Sequence, residues 1–149
     1  MDTKDPLVDG KRWLEREHME AEAKQTHMQL GFKFTEYVRI ITSAFVEKYG
    51  DSQATRQRAK SRSLEYVTKA HGVSRSTARL YIDVYERFHA MPRAIAVLRQ
   101  TDMQLLLAPD IGDEIIDAVI QRREADPRMS TRGVKELIDR MRLQPCGES

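Results

Sequence analysis

Apolar side chains in this chain return every three or four residues, and no segment alternates apolar with polar at the two-residue period of a half-buried strand. Phe34, Tyr37, Val38, Ile41 and Phe45 form one such stripe, closed by Gly50 in a helix-stop position. Leu64, Val67 and Ala70 form a second, and Tyr81, Val84, Tyr85 and Phe88 a third. The run from Ile111 to Ile120 carries Ile111, Ile115, Ile116 and Val119. Ser130 then caps a last helix with Val134, Leu137, Ile138 and Met141 on its inner face. An all-α fold is the only class consistent with this pattern. Pro92 stands where a new helix begins, and Pro109 and Pro127 punctuate the later segments.

Before the first stripe lies a highly charged segment, Lys11 to Met28, whose apolar face (Trp13, Leu14, Ala21, Met28) is thin. A helix of that kind needs a partner surface to persist in water. The first nine residues are expected to fray and LQPCGES to form a disordered tail. These features divide the 149 residues into an N-terminal helical region, 1–50, with a possible role in dimerisation, a central helical domain, 51–143, and a tail, 144–149. No repeat or low-complexity tract is present.

Composition narrows the function classes. With 40% hydrophobic residues, 32% charged and a mean hydropathy of −0.60, the chain reads as a soluble globular domain. It has no run of about 18 apolar residues and no signal-like N-terminus, so no membrane partner is expected. The one cysteine, Cys146, can form neither an internal disulfide nor a cysteine-based metal site, and cytoplasmic residence is the default expectation. His18, His27, His71 and His89 lack metal-ligand spacing. Asp110, Asp113, Glu114 and Asp117 read as the acidic first turn of a helix rather than a carboxylate site. With no phosphate-cradling glycine loop either, neither a cofactor nor a metal is expected, and an enzyme has no positive feature behind it.

The net charge of +2 is small, but its distribution is not even. Between Thr55 and Arg79 seven basic residues (Arg56, Arg58, Lys60, Arg62, Lys69, Arg75, Arg79) stand against one acid, Glu65, so the remainder of the chain is net negative. A basic block on a near-neutral protein is the electrostatic footprint of a nucleic-acid face, although a merely solvated basic helix carries the same charge.

Inside that block lies SLEYVTKAHGVSRSTARLYIDVYERF, Ser63 to Phe88. Gly72 allows a sharp left-handed turn between two helices, Val73 plugs the angle, Ser74 caps the second helix and Ala78 permits close packing against the first. Arg75, Ser76, Thr77 and Arg79 then crowd the start of the second helix. There arginine can grip guanine in two places, hydroxyls can meet bases or phosphates, and the helix dipole favours a phosphate. The predicted base contacts are Arg75, Ser76, Thr77 and Arg79. The predicted phosphate contacts are Ser74, Arg56, Arg58, Lys60, Arg62 and Lys69. An ordinary helical hairpin with a glycine turn is the competing reading.

The pattern Gly-Val-Ser-Arg-Ser-Thr resembles the turn and recognition-helix start of helix-turn-helix proteins, departing at Thr68, where that family prefers alanine. From about Leu64 to Met141 the chain is similar to the central DNA-binding domain of ParB-type partition proteins, including KorB-like plasmid regulators. HGVSRSTARLYIDVYERF is followed there by a proline-opened helix (here MPRAIAVLRQ), short helices and a late segment (here RREADPRMSTRGVKELI). Residues 1–62 are too short for the family's CTP-binding region and show no GERRxR-like box, so CTP binding and clamp sliding are not implied. The resemblance implies a sequence-specific double-stranded DNA-binding module, acting as a transcriptional regulator or partition-type factor of a plasmid, phage or other mobile element. A homodimer is expected, because one such helix gives weak affinity and paired half-sites are the usual remedy. Its contact is expected from the Phe34–Phe45 stripe with Trp13 and Leu14, unless that stripe packs within the chain. The alternatives are a phage small-terminase-like or replication accessory subunit, and a helical adaptor that binds no DNA.

Overall fold

The structure, a computed structural model, describes residues 6–143, apart from the side chains of residues 6–10 and of Trp13. Among the described residues there are seven helices and no strand: α1 (Pro6–Tyr49), α2 (Gln53–His71), α3 (Arg75–Phe88), α4 (Pro92–Val97), α5 (Gln100–Leu105), α6 (Asp113–Ala125) and α7 (Thr131–Leu143). The proposed tail, 144–149, and the role given to the Trp13 side chain lie outside the described residues.

The N-terminal region is one unbroken helix of 44 residues, about 66 Å long at 1.5 Å per residue. It starts at Pro6, so residues 6–9, expected to fray, are helical. It ends where expected, at Gly50, whose φ of 85° no β-carbon-bearing residue adopts easily and whose N–H donates to the Val46 carbonyl at 2.8 Å.

The inward face of α1 differs from the one its hydropathy predicts. Leu14 and Ala21 are exposed and Met28 is half-buried. Met28 does pack inward, against the core around Phe88, beside a seam of Glu17, Glu20, Lys24, His27, Gly31, Phe34 and Val38 in alternating steps of three and four residues. Its first half is polar and works by hydrogen bonds. Glu17 Oε1 accepts from Arg99 Nη2 at 2.8 Å, Glu20 Oε1 from the Gln100 N–H at 3.3 Å, and Lys24 Nζ donates to the Leu98 carbonyl at 2.6 Å. Burial among these groups lowers the Lys24 pKa, while Glu20, Asp102 and Glu17 pull it the other way. The second half is apolar. Phe34, the one fully buried residue of the predicted stripe, joins Leu64, Val67, Ala78 and Ile82 in a core shared by α1, α2 and α3. The Tyr37, Val38, Ile41 and Phe45 side chains are only half-buried, which corrects the broad buried stripe expected there.

Between the two halves sits Gly31. A β-carbon at this position would stand 2.5 Å from the Tyr81 carbonyl oxygen and 2.7 Å from Tyr85 Cβ. The two helices therefore cross in main-chain contact. Helix α3 is covered on two sides, by the α1–α2 core through Ala78 and Ile82, and by a second core through Val84 and Phe88. That double covering explains why Ile82 is buried although it lies off the single stripe read from sequence, and why Tyr81 and Tyr85 are only half-buried.

The second core gathers α4 to α7 with Leu98, Met103, Leu106, Ile111, Ile116, Val119, Ile120, Val134 and Ile138 fully or almost fully buried. At its edge is an ion pair with almost no solvent exposure. Arg123 (1% exposed) donates from Nε to Asp102 Oδ2 at 2.8 Å and from Nη2 to Oδ1 at 3.2 Å. Its Nη1 reaches the carbonyls of Pro127 and Met129, and Asp102 also accepts the Arg99 N–H at 2.9 Å. One guanidinium thus joins α5, the end of α6 and the loop into α7. Pro92 opens α4 and the Ser130 hydroxyl accepts the Gly133 N–H at 3.0 Å at the start of α7, both as the sequence predicts.

Two stability outcomes follow. Asp102→Ala leaves the Arg123 charge buried without its partner and should lower stability by about 3–5 kcal/mol in denaturant melts. Gly31→Ala raises helix propensity yet should lower the melting temperature, since overpacking a close crossing costs about 1–3 kcal/mol.

Candidate functional site

The two helices α2 and α3 meet through a short turn whose chemistry is local. Gly72 takes φ 66°, ψ 27°, and its N–H donates to the Thr68 carbonyl at 3.0 Å, ending α2. Val73 is half-buried against the α1–α2–α3 core. Ser74 Oγ accepts the Thr77 N–H at 3.0 Å and donates to Thr77 Oγ1 at 2.8 Å, so the Ser74 hydroxyl is fully engaged in capping α3. Ala78 is fully buried where the helices approach. Thr68 donates its hydroxyl to the Glu65 carbonyl at 2.8 Å and so satisfies itself within α2. Ala70 points to solvent, in contrast to its predicted place on the inner face. The inner face of α2 runs through Thr55, Ala59, Ser63, Leu64 and Val67, with the buried Ser63 hydroxyl bonded to the Ala59 carbonyl at 2.7 Å.

The front end of α3 is exposed. Arg75, Ser76 and Arg79 all face solvent, and Thr77 is half-buried. Among the described residues Ser76 and Arg79 have no hydrogen-bond or ion-pair partner. Arg75 does have one: its Nη2 donates to Ser61 Oγ on α2 at 2.8 Å, a neutral contact on the exposed surface. Among the described residues no carboxylate neutralises this end of the helix, and no acidic residue lies in its first turn.

The upstream basic residues also face solvent along α2, but in different states. Arg56 is held by Asp51 at 2.7 and 2.9 Å, which raises the arginine pKa and lowers that of the carboxylate through the hydrogen bonds they share. Lys69 lies 3.8 Å from Glu65. Arg58 stands over the Tyr49 ring, 5.1 Å from its centroid. Lys60 and Arg62 have no partner among the described residues. Arg58, Lys60, Arg62, Arg75 and Arg79 are thus the cations that no carboxylate neutralises, whereas Arg56 and Lys69 are partly compensated.

Three of the histidines make ring contacts. His27 stacks on Tyr81 with ring centroids 4.5 Å apart, His71 meets the edge of Phe34, and His89 stacks on Tyr85 while its Nδ1 contacts the Tyr85 carbonyl. His18 pairs with Glu22. Among the described residues no group of three or more histidine, cysteine, aspartate or glutamate side chains is arranged to hold a metal. Asp113 and Glu114 lie in the first turn of α6, as predicted, but Asp110 precedes the helix and Asp117 lies beyond that turn; Asp110 binds Arg142 and Asp113 binds Arg87. No helix is long and apolar enough to cross a membrane among the described residues. Comparison with protein-family models, with curated proteins and with solved structures gives no match.

Sequence reading did not single out Ser61 or Tyr49. Both are silent in one dimension: a serine in a polar helix and a tyrosine at a helix end gain meaning only from the arginines the fold sets beside them. Because the Ser74 cap organises the first turn of α3, Ser74→Ala should cost about 1 kcal/mol in thermal or denaturant unfolding while leaving overall helicity intact by circular dichroism.

Proposed function

We propose that the protein binds double-stranded DNA sequence-specifically, with α2 and α3 as a helix-turn-helix and α3 as the recognition helix. The observation that carries this reading is the exposed, carboxylate-free front end of α3. A helix presenting its N-terminal turn into a major groove reads bases with the side chains at that end, here Arg75, Ser76 and Arg79. Lys60, Arg62 and Arg58 on the neighbouring helix supply charge for the phosphate backbone, the term that dominates affinity and its salt dependence.

The geometry also ranks the residues. Ser74 spends its hydroxyl on the cap, so its contribution is to hold the turn in shape, and Thr77, half-buried and tied to Ser74 through its oxygen, is the weakest of the base-contact candidates. Arg56 must give up Asp51 to reach a phosphate and contributes less than Lys60. Arg75 is poised by Ser61 through Nη2 alone, which leaves its other guanidinium N–H groups for a base. The biological role that fits is a transcriptional regulator or partition-type factor of a mobile genetic element. Self-association through the exposed side of α1 would pair two such helices on adjacent half-sites. The Phe34 side chain takes no part in that, being wholly buried within its own chain.

Selection of bound duplexes from a random pool, followed by titration of the winning sequence, tests the reading. Wild type should enrich a defined, palindromic consensus. The double variant Arg75→Ala with Arg79→Ala should lose preference for that duplex over random DNA while keeping its fold, each lost bidentate contact costing about 1–3 kcal/mol of discrimination. Lys60→Ala should instead weaken binding to every duplex alike and reduce the slope of log K against log salt by about 1. Undiminished preference in the double variant would defeat the assignment.

A further inference from the structure

Where the end of α1 passes α2, the side chains of Phe45, Tyr49, Arg58, Ser61 and Arg62 enclose a recess of about 330 Å³ that opens to solvent. Its chemistry is uneven. Phe45 and Tyr49 form an aromatic wall, while Arg58, Arg62 and the Ser61 hydroxyl give a polar, positively charged side with no carboxylate among the five residues. We infer that this recess is the seat of a single DNA backbone phosphate, beside the base-reading end of α3. The inference rests on the DNA-binding reading above and deepens it.

Three features converge. First, two guanidinium groups four residues apart on α2 border one recess, and guanidinium is the side-chain group best matched to phosphate oxygens. Arg62 has no partner among the described residues, and Arg58 is engaged only by an aromatic face, so no ion pair has to break. Second, Tyr49 positions Arg58. Its ring lies under the Arg58 guanidinium at 5.1 Å and near the Lys48 ammonium at 5.3 Å, a cation–π arrangement that fixes direction without neutralising charge. Third, Ser61 joins the recess to the recognition helix. Its oxygen accepts from Arg75 Nη2 at 2.8 Å, and a hydroxyl that accepts still has its own hydrogen to donate. A phosphate oxygen in the recess can take that hydrogen. The phosphate, Ser61 and Arg75 then form one chain, so that the backbone contact sets the register of a residue that reads bases. Tyr49 and Ser61 are positioning residues in this arrangement, and Arg58 and Arg62 hold the phosphate.

The test uses the full chain and the duplex selected above, with affinity measured by fluorescence anisotropy over a potassium chloride series. Arg62→Ala should bind about tenfold more weakly to both the selected and a random duplex, with a salt slope lower by about 0.9, the loss of one phosphate contact. Tyr49→Leu should move the same way and Tyr49→Phe should keep wild-type behaviour, since the ring face is what matters; circular dichroism melts verify that each variant is folded. Duplexes carrying a neutral methylphosphonate at successive single backbone positions supply the decisive comparison. One position should weaken wild type and leave the double variant Arg58→Ala with Arg62→Ala no weaker than before. If wild type binds, and Arg79→Ala loses sequence preference, but Arg62→Ala keeps the wild-type slope or no position is selectively silent in the double variant, the recess holds no phosphate and the DNA reading survives without it. If wild type retains no duplex at low salt, both fall.

Discussion

The placement of α3 depends on its contact with Gly31. There the main chain of the long first helix lies against the Tyr81 carbonyl of α3, closer than any side chain would permit. Interiors pack near crystalline density and bear little overfilling, so this one missing β-carbon sets the distance between the two helices. The rest is arranged around that distance. Phe34 and His27 reach the Tyr81 ring from either side of the glycine, Ala78 lets α2 come close from another direction, and Val84 and Phe88 plant the far end of α3 in the second core. The helix is thereby gripped along its length while its front end stays open.

That arrangement matters for the proposed activity because groove readout needs a rigid helix whose contacting end is not consumed internally. The first turn of α3 is stabilised from within, by the hydroxyl exchange between Ser74 and Thr77, so that Arg75, Ser76 and Arg79 remain available. Apolar packing supplies the grip and local capping supplies the shape. The buried pair of Asp102 and Arg123 works at a distance from this end, holding α5, α6 and α7 in the one arrangement that lets their core close over Phe88. A buried ion pair is weak evidence of net stability, but removing either member is expensive.

The polar half of the α1 seam is the feature least visible beforehand. Reading hydropathy along Lys11–Met28 selects Leu14 and Ala21, yet those face solvent while Glu17, Glu20 and Lys24 face the protein. Periodicity finds the buried side of a helix only when burial is driven by apolar area. Here the partner surface is the start of α5, rich in backbone N–H and carbonyl groups that demand hydrogen bonds, and charged side chains answer it. Asp102 and Arg123 were equally illegible, since a charged residue reads as solvated until its partner, twenty-one residues away, is placed beside it.

What the sequence determined alone is whatever depends on neighbours within about four residues. The all-helical class, the stop at Gly50, the left-handed turn at Gly72, the caps at Ser74 and Ser130, the opening of α4 at Pro92 and the crowding of cations between Arg56 and Arg79 all belong there. Capping, turn geometry and charge density are short-range quantities. Tertiary structure alone decided that residues 6–49 form one helix lying across α3, that Gly31 is the crossing point, and that Ser61 and Tyr49 stand beside the arginines. Those are distances between segments remote in the chain, set by how two cores close around α3, and no local pattern encodes them.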